Sequence, residues 1–290
     1  MSKKTVSVSI VAANYNNGKY LHDFIGSVSD STVLPQELII IDDGSTDNSL
    51  ELLREFSDLD FLKLIKFENN KGFCEALNAG IKLASGKYIM RIDPDDILLA
   101  ERLQTQFEFL ENNKEIDVVG SNVIYFLDDA NKDISTSNFP IEHADIYKVY
   151  QKGEHGIQHP SAMIRADVMK QFKYIQENFK SEDYDIFARM ISNGYKFVNI
   201  SEPLTRMRVH SGSISINIKY GTIKHTYDLR DQIFKKRTNP LKIRLYYWHI
   251  LNYKKYLISK NSIKKIFYMG LASVFYPRKA FSKILNLSNK

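Results

Sequence analysis

The stretch Tyr88-Ile89-Met90-Arg91-Ile92-Asp93-Pro94-Asp95-Asp96 joins an apolar run to three closely spaced carboxylates. Residues 88–92 are mainly β-branched or aromatic and follow a Gly-Lys turn, a pattern that predicts a short buried strand. Pro94 ends this strand because proline has no N–H for the ladder. The three carboxylates repel one another, and a hard cation such as Mg²⁺ or Mn²⁺ between them would offset that repulsion. The alternative is a solvated acidic turn that caps a helix beginning at Ala100.

Strand and helix patterns alternate through the preceding part of the chain. The predicted strands are residues 6–11, 37–41, 62–67 and 88–92, and the predicted helices carry the apolar residues of segments 21–28, 50–56 and 72–84. Near-continuous apolar strands separated by helices are typical of a parallel sheet that is covered on both faces. Ligands of such sheets bind outside the carboxyl ends of the strands. The sequence places Asn14-Tyr15, Asp42-Asp43 and the acidic stretch at these ends.

The charge of the chain is unevenly distributed. The 290 residues carry a net charge of +6 and a single cysteine, Cys74, which excludes an intramolecular disulfide and is typical of a reducing compartment. Residues 221–290 hold 16 Lys and Arg against two acids, a net charge of +14, and the rest of the chain has a net charge of −8. An acidic α/β body with a strongly basic tail is therefore expected, and the two parts are expected to have different roles.

Three motifs in the body, taken together, resemble glycosyltransferase family 2. They are Val-Ser-Ile-Val-Ala-Ala-Asn-Tyr-Asn-Asn at 8–17, Ile-Ile-Ile-Asp-Asp-Gly-Ser-Thr-Asp-Asn-Ser at 39–49 and Arg-Ile-Asp-Pro-Asp-Asp at 91–96. The resemblance covers about residues 5–215 and implies the α/β GT-A fold, with a mostly parallel central sheet flanked by helices. It implies a catalytic domain over residues 1–220, divided into a nucleotide-sugar-binding half (about 5–115) and an acceptor-binding half (about 116–220). The basic, aromatic-rich helical tail at 221–290 lies outside it.

The resemblance also implies a nucleotide-sugar site at the strand ends. Tyr15 would stack on the base, and Asp42 or Asp43 would accept a hydrogen bond from the base or the ribose. The complete set of residues implied to bind the nucleotide sugar is Ala13, Tyr15, Asp42, Asp43, Lys71, Gly72, Asp93 and Arg208. For Gly72 the alternative is that it only permits a tight turn.

The acidic stretch resembles the Asp-x-Asp motif of the family. Asp95 is then the direct ligand of Mn²⁺ or Mg²⁺, and Asp93 lies nearer the sugar or ribose. A cation is needed because the departing diphosphate carries growing negative charge. Two roles are open for Asp96: it lies beside the metal, or it caps a helix.

Glu182 and Asp183 open a predicted amphipathic helix after Ser181. Ordinary capping would explain acidic residues there. An inverting transfer, however, needs a base that takes the proton of the acceptor hydroxyl, and the pair resembles the catalytic acidic motif of the family. We predict that Asp183 is this base and that the charge of Glu182 raises the pKa of Asp183.

Arg206, Arg208 and His210 alternate along a predicted strand over residues 204–210 and so share one face. Arg208 would form paired hydrogen bonds with the donor diphosphate. The resemblance to an Arg-x-His motif implies that His210 contacts the diphosphate or completes the metal shell. The alternative is an edge strand with solvated arginines.

The tail alternates basic and aromatic residues, and its longest uncharged run, residues 266–276, is too short to span a bilayer. It predicts helices that lie on an anionic membrane surface, the alternative being helices packed on the body. Together these features predict an inverting, metal-dependent transferase that moves a sugar from a nucleotide sugar, preferably a UDP-sugar, to a glycan or lipid-linked glycan. We expect a cytoplasmic protein, peripheral on the inner face of the cell membrane, with no nucleic-acid partner. Competing hypotheses are a nucleotidyltransferase and a non-catalytic membrane scaffold with a relic fold.

Overall fold

The computed structural model describes residues 3–128, 132–210, 219–259 and 261–275. The chain divides into two compact units, Met1–His210 and Ser211–Lys290. This division lies ten residues before the predicted boundary between the catalytic domain and the tail.

The first unit contains nine strands and seven α-helices among its described residues. The strands are β1 (Thr5–Asn14), β2 (Leu34–Asp42), β3 (Leu62–Lys66), β4 (Tyr88–Arg91), β5 (Ile97–Leu98), β6 (Val118–Leu127), β7 (Lys132–Thr136), β8 (Met163–Arg165) and β9 (Phe197–Val209). The helices are α1 (Gly18–Ser29), α2 (Ser49–Glu55), α3 (Phe73–Leu83), α4 (Arg102–Asn112), α5 (His143–Tyr150), α6 (Ala166–Met169) and α7 (Glu182–Ser192). Short 3₁₀ turns lie at His159–Ser161 and Gln176–Asn178.

All nine strands form one sheet in the order β3-β2-β1-β4-β8-β6-β9-β5, with β7 paired to β6. Strands β3, β2, β1 and β4 are parallel, and so are β6 and β9. Strands β8, β7 and β5 join by antiparallel pairing. The predicted nucleotide-binding and acceptor-binding halves therefore share a single sheet.

Strand β2 begins earlier than predicted and includes a proline. The N–H of Leu34 donates to Lys4 O on the β1 side (2.9 Å), so the nitrogen of Pro35 points to the other side. Strand β3 pairs with β2 only from Leu38 onwards. Pro35 is tolerated because its missing N–H interrupts no ladder at that point.

Helices cover both faces of the parallel part of the sheet, as predicted. On one face, Ile10 of β1 packs in a buried cluster with Phe24 of α1. On the other face, Val11 and Ile41 lie against Gly80 of α3, where an added Cβ would lie 2.6 Å from the Val11 side chain. This glycine lets α3 approach the sheet closely.

The strand register brings the carboxyl ends of the strands to one edge. Asn14 at the end of β1 is opposite Asp42 at the end of β2. Val11 of β1 is opposite Arg91 at the end of β4. The polar segments after β1, β2 and β4 therefore share this edge, as the sequence predicted.

The second unit is helical where it is described. Its helices are α8 (Tyr220–Ile233), α9 (Pro240–Ile258) and α10 (Ser262–Phe275). Residues 260 and 276–290 of the predicted tail lie outside the described residues. Its small core consists of Ile223, Tyr227, Ile243 and Tyr246. No helix in the described part of the chain is long and apolar enough to cross a bilayer. The predicted helical extension is thus confirmed for its described part.

Candidate active site

The acidic turn after β4 brings three carboxylates together. One oxygen each of Asp93, Asp95 and Asp96 lies within 4.8 Å of the others. The turn is closed by the N–H of Asp96, which donates to Asp93 O at 3.1 Å. The side chains of Asp93 and Asp95 are 30% and 23% exposed, so solutes can reach them. Clustered carboxylate oxygens are the donor set that Mg²⁺ and Mn²⁺ prefer.

Asp96 is the buried member of the turn. Its Oδ1 accepts a hydrogen bond from the N–H of Arg208 (2.9 Å), and its Oδ2 has no partner among the described residues. Burial, followed by the charges of Asp95 and Asp93, raises the pKa of Asp96 well above its usual range. Helix α4 begins at Arg102 with Glu101 before it, so the interpretation of Asp96 as a helix cap is wrong.

Arg91 is a site residue that the motif analysis missed. Its guanidinium is 5% exposed, and its Nη2 forms an ion pair with Asp93 Oδ1 at 2.5 Å. The Nε and Nη1 atoms have no hydrogen-bond partner among the described residues. An arginine within an apolar strand is rarely buried unless it is paired. The position of Arg91 in such a strand was therefore the sequence feature that indicated a charged partner.

Glu182 and Asp183 open helix α7 at a partly exposed position. The side chain of Asp183 is 32% exposed, and its Oδ2 lies 3.5 Å from Nδ1 of His155, a second neighbour that the sequence did not indicate. Burial and then the charge of Asp183 raise the pKa of Glu182 to about 7. The sequence predicted the raised pKa for Asp183. The structure raises the pKa of Glu182, whose Oε2 is buried and has no hydrogen-bond partner in the described part of the chain.

The acidic turn and the Glu182–Asp183 pair share one electrostatic environment. Burial raises the pKa of Asp93; the Arg91 charge opposes this effect, and the charges of Asp95 and Asp183 add to it. The Arg91 charge likewise opposes the raised pKa of Glu182. The charge of the predicted base therefore contributes to the raised pKa of Asp93, one of the predicted metal ligands.

His210 and Arg208 approach the acidic turn from β9. His210 Nε2 lies 3.1 Å from Asp95 Oδ2, where a metal shell could include it. The Arg208 guanidinium is 7% exposed and forms ion pairs with Asp23 and Asp128, each at 2.8 Å. The alternative of a solvated arginine is therefore wrong for Arg208. Its predicted contact with the diphosphate stays a prediction.

At the predicted nucleotide site, Asp42 and Asp43 organise the loops that follow the strand ends. Asp42 is fully buried and accepts hydrogen bonds from Asn14 Nδ2 and from the N–H and Oγ of Ser45. Asp43, 3% exposed, accepts from the N–H groups of Lys71 (2.6 Å) and Gly72 (2.9 Å). The two carboxylates thus fix the loop after β2 and the start of α3.

The remaining predicted nucleotide contacts flank these loops. Tyr15 follows β1 directly and is 46% exposed, so its ring is free to stack, whereas Ala13 is buried within β1. Gly72 has a φ of +98°, and a Cβ there would lie 2.6 Å from the Gln176 side chain. Both observations support the tight-turn interpretation of Gly72.

Helix α3 is also tied to the segment that leads to Glu182. The Nδ2 of Asn78 donates to Tyr174 O, and the N–H of Tyr174 donates to Asn78 Oδ1, both at 2.9 Å. The Tyr174 hydroxyl lies 2.6 Å from Nε2 of the buried His159. These contacts connect the middle of α3 with the segment that precedes the Glu182–Asp183 pair.

A mostly parallel sheet with an acidic turn at the carboxyl end of β4 is the arrangement that the resemblance to glycosyltransferase family 2 implies. The model of glycosyl transferase family 2 matches residues 9–172, and the chain belongs to this family. The predicted family and the glycosyltransferase class are thus confirmed. The nucleotidyltransferase and scaffold hypotheses have no support from these comparisons.

Curated relatives extend the similarity over most of the chain. An uncharacterized glycosyltransferase of Methanocaldococcus jannaschii is 37% identical over 207 residues, which cover 70% of each protein. The Escherichia coli enzyme named UDP-Glc:alpha-D-GlcNAc-diphosphoundecaprenol beta-1,3-glucosyltransferase is 30% identical over 214 residues, 72% of this chain and 80% of that protein.

Solved structures confirm the GT-A fold. Residues 1–349 of Staphylococcus aureus TarS, in complex with UDP-GlcNAc, superpose with a TM-score of 0.64 at 17% identity, covering 95% of this chain and 83% of that one. A Pyrobaculum calidifontis mannosyltransferase in complex with GDP-Man and Mn²⁺ gives a TM-score of 0.58 at 14% identity, covering 99% and 83%.

Proposed function

We propose that this glycosyltransferase is inverting and metal-dependent, and that it transfers a sugar from a UDP-sugar to a hydroxyl of a polysaccharide or lipid-linked glycan. The observation that carries the proposal is the shared environment of the acidic turn and the Glu182–Asp183 pair. One group of carboxylates suits a cation, and the other suits a proton acceptor. An inverting displacement needs both within reach of one anomeric carbon.

The residues of the acidic turn fit a divalent cation. Asp95 and Asp93 offer partly exposed oxygens, Asp96 holds an unpartnered buried oxygen, and His210 adds a ring nitrogen at the rim. We assign direct ligation to Asp95, with Asp93 and His210 beside it. When bound, Mn²⁺ or Mg²⁺ would neutralise the charge that develops on the departing diphosphate.

Asp183 is the proposed general base. Its carboxylate accepts the proton of the acceptor hydroxyl while the acceptor oxygen bonds to the anomeric carbon. The bond from that carbon to the diphosphate oxygen breaks, and the electron pair leaves with the diphosphate. The partial exposure of Asp183 supports this role because an acceptor must reach the base from solvent.

The donor assignment rests on the nucleotide-side residues and on the names of similar proteins. Tyr15 is exposed beside the loops organised by Asp42 and Asp43, and we propose that it stacks on uracil. The E. coli relative is named for UDP-Glc, and the TarS structure contains UDP-GlcNAc. The mannosyltransferase complex with Mn²⁺ supports the use of a divalent metal.

The acceptor and the location are proposed from the same relatives and from the second unit. The acceptor in the name of the E. coli enzyme is a diphosphoundecaprenol-linked sugar. On α10, Ile263, Ile266 and Phe267 are 78%, 75% and 60% exposed, next to Lys264 and Lys265. Apolar side chains flanked by lysines suit a helix lying on an anionic bilayer. We therefore propose peripheral binding to the inner face of the cell membrane.

A thermal-unfolding panel tests the proposal. UDP, GDP, CMP and ADP are each added to the wild-type chain with and without Mn²⁺. A ligand present at 100 times its Kd stabilises the native state by about 2.7 kcal/mol, so we expect a clear shift with UDP and Mn²⁺ together. Asp95→Ala should abolish the part of the UDP shift that depends on Mn²⁺. A UDP shift that is independent of Mn²⁺, or the same in Asp95→Ala, would contradict metal-dependent donor binding.

A further inference from the structure

The Arg208 side chain connects four segments that are distant in sequence. Its Nη2 pairs with Asp23 on α1, and its Nη1 pairs with Asp128 just after β6, both at 2.8 Å. Its Nε donates to the main-chain oxygen of Asp95 at 2.8 Å. The main-chain N–H of Arg208 donates to Asp96 Oδ1. Arg208 therefore holds the acidic turn at two consecutive residues.

The guanidinium has little freedom to leave this position. Its central carbon lies 4.7 Å from the ring centroids of both Tyr20 and Phe126. Asp128, 14% exposed, is itself fixed by Lys19 Nζ at 2.8 Å and by the Tyr20 hydroxyl at 3.1 Å. A planar guanidinium donates along fixed directions. The positions of Asp128 and Asp23 therefore determine the position of the Arg208 guanidinium.

Asp128 and Asp23 also determine which groups neutralise the positive charge of Arg208. An unpaired guanidinium beside Asp95 and Asp96 would be drawn to their carboxylates and would compete with a cation for them. Pairing with Asp128 and Asp23 satisfies the terminal nitrogens away from the turn. Among its contacts with described residues, the Nε of Arg208, which donates to a main-chain oxygen, and its main-chain N–H are directed at the turn.

We propose that Asp128 and Asp23 are positioning residues for the metal site. Through Arg208 they hold the main chain at Asp95 and Asp96 and keep the carboxylates available to a divalent cation. The inference rests on the proposed metal dependence. It differs from the predicted role of Arg208 as a diphosphate ligand, because here the arginine acts on the turn.

Asp128→Asn is the principal variant, and Asp133→Asn is its matched control. Asp133 pairs with Arg206, two residues from Arg208 on the same strand, in an ion pair at 2.8 Å. The affinity for Mn²⁺ is measured on the full chain with UDP present, from the electron paramagnetic resonance signal of free Mn²⁺. Loss of an outer-shell partner typically weakens metal binding by about 10–100-fold. We expect a loss of that size in Asp128→Asn, no change in Asp133→Asn, and recovery of transfer by Asp128→Asn at saturating Mn²⁺.

Asp23→Asn is a second test that spares the core, because Asp23 is 57% exposed. It decides the matter if Asp128→Asn does not fold, and we expect it to weaken Mn²⁺ binding in the same direction. Unchanged Mn²⁺ affinity in the folded variants overturns the inference. So does tighter UDP binding at unchanged Mn²⁺ affinity, since that result would mean that the freed arginine serves the diphosphate. If the wild-type chain binds no Mn²⁺, the proposed metal dependence fails together with this inference; a failure confined to the variants leaves the metal dependence standing.

Discussion

Replacing Glu182 by glutamine should change the pH dependence of stability. In the native state burial and then the charge of Asp183 raise the pKa of Glu182 from 4.5 to about 7. The folded protein therefore holds this proton more tightly than the unfolded chain does. The associated stability is fully present below pH 4.5 and is lost as the pH rises through 7. Glutamine keeps the shape of the side chain but cannot ionise.

The size of the effect follows from the displacement of the pKa. Each pH unit between the unfolded and the folded pKa corresponds to about 1.4 kcal/mol, so the interval from 4.5 to about 7 corresponds to about 3 kcal/mol. Because Glu182 is only partly buried, screening by solvent lowers the effect to between about 1 and 3 kcal/mol. Between pH 5 and pH 8, Glu182→Gln should gain this amount relative to wild type.

The assay is thermal or urea unfolding at several pH values in EDTA, which removes any bound cation. For a chain of this size, 1 kcal/mol corresponds to roughly 2–4 °C in Tm. Glu177→Gln is the matched control, because Glu177 is a nearby glutamate with an exposed side chain. The reasoning is refuted if the difference between Glu182→Gln and wild type does not change with pH, or changes no more than the difference between Glu177→Gln and wild type.

Two further predictions concern the base and the second unit. Asp183→Asn should lower the rate of transfer by about 10²–10⁴-fold, the usual scale for a lost general base, while the stabilisation by UDP and Mn²⁺ is retained; transfer at the wild-type rate would reject the assignment. Replacing Ile266 and Phe267 together by serine should weaken flotation of the full chain with anionic vesicles, because it removes two exposed apolar side chains from α10. Vesicles of neutral lipid serve as the control, and undiminished flotation with anionic vesicles would exclude these two residues from the membrane contact.

Sequence patterns predict the long strands and helices of the fold because the apolar pattern that defines each of them lies within its own segment. Each of β1, β2 and β4 is a continuous apolar run, and α1 has an apolar stripe of its own. The alternation of strands and helices can therefore be recognised from each segment separately. Strands β5 and β8 are two and three residues long and exist through pairing with distant partners. No pattern of that length distinguishes a strand from a loop, and neither strand could be predicted.

The candidate site shows the same limit. The place of Asp93 and Asp95 at the end of β4 could be predicted from their motif, because the strand register brings that end to the expected edge. The roles of Asp93, Asp95 and Asp183 stay predictions. The partners of Arg208 lie 80 and 185 residues away in sequence. Ion pairs of that kind depend on the final packing of α1, β6 and β9. Sequence reasoning could therefore propose a charged role for Arg208 but could not foresee which charges would meet it.

The reciprocal hydrogen bonds between Asn78 and Tyr174 bear on attempts to recombine enzymes of this kind. A chimera that joins the predicted nucleotide-sugar-binding half of this chain to the acceptor-binding half of another enzyme would divide one continuous sheet. It would also replace the segment that contains Tyr174, so the side-chain amide of Asn78 would lose its two hydrogen bonds to the main chain of Tyr174. Exchange of acceptor preference is therefore better attempted within the loops after Tyr174 than by grafting whole halves.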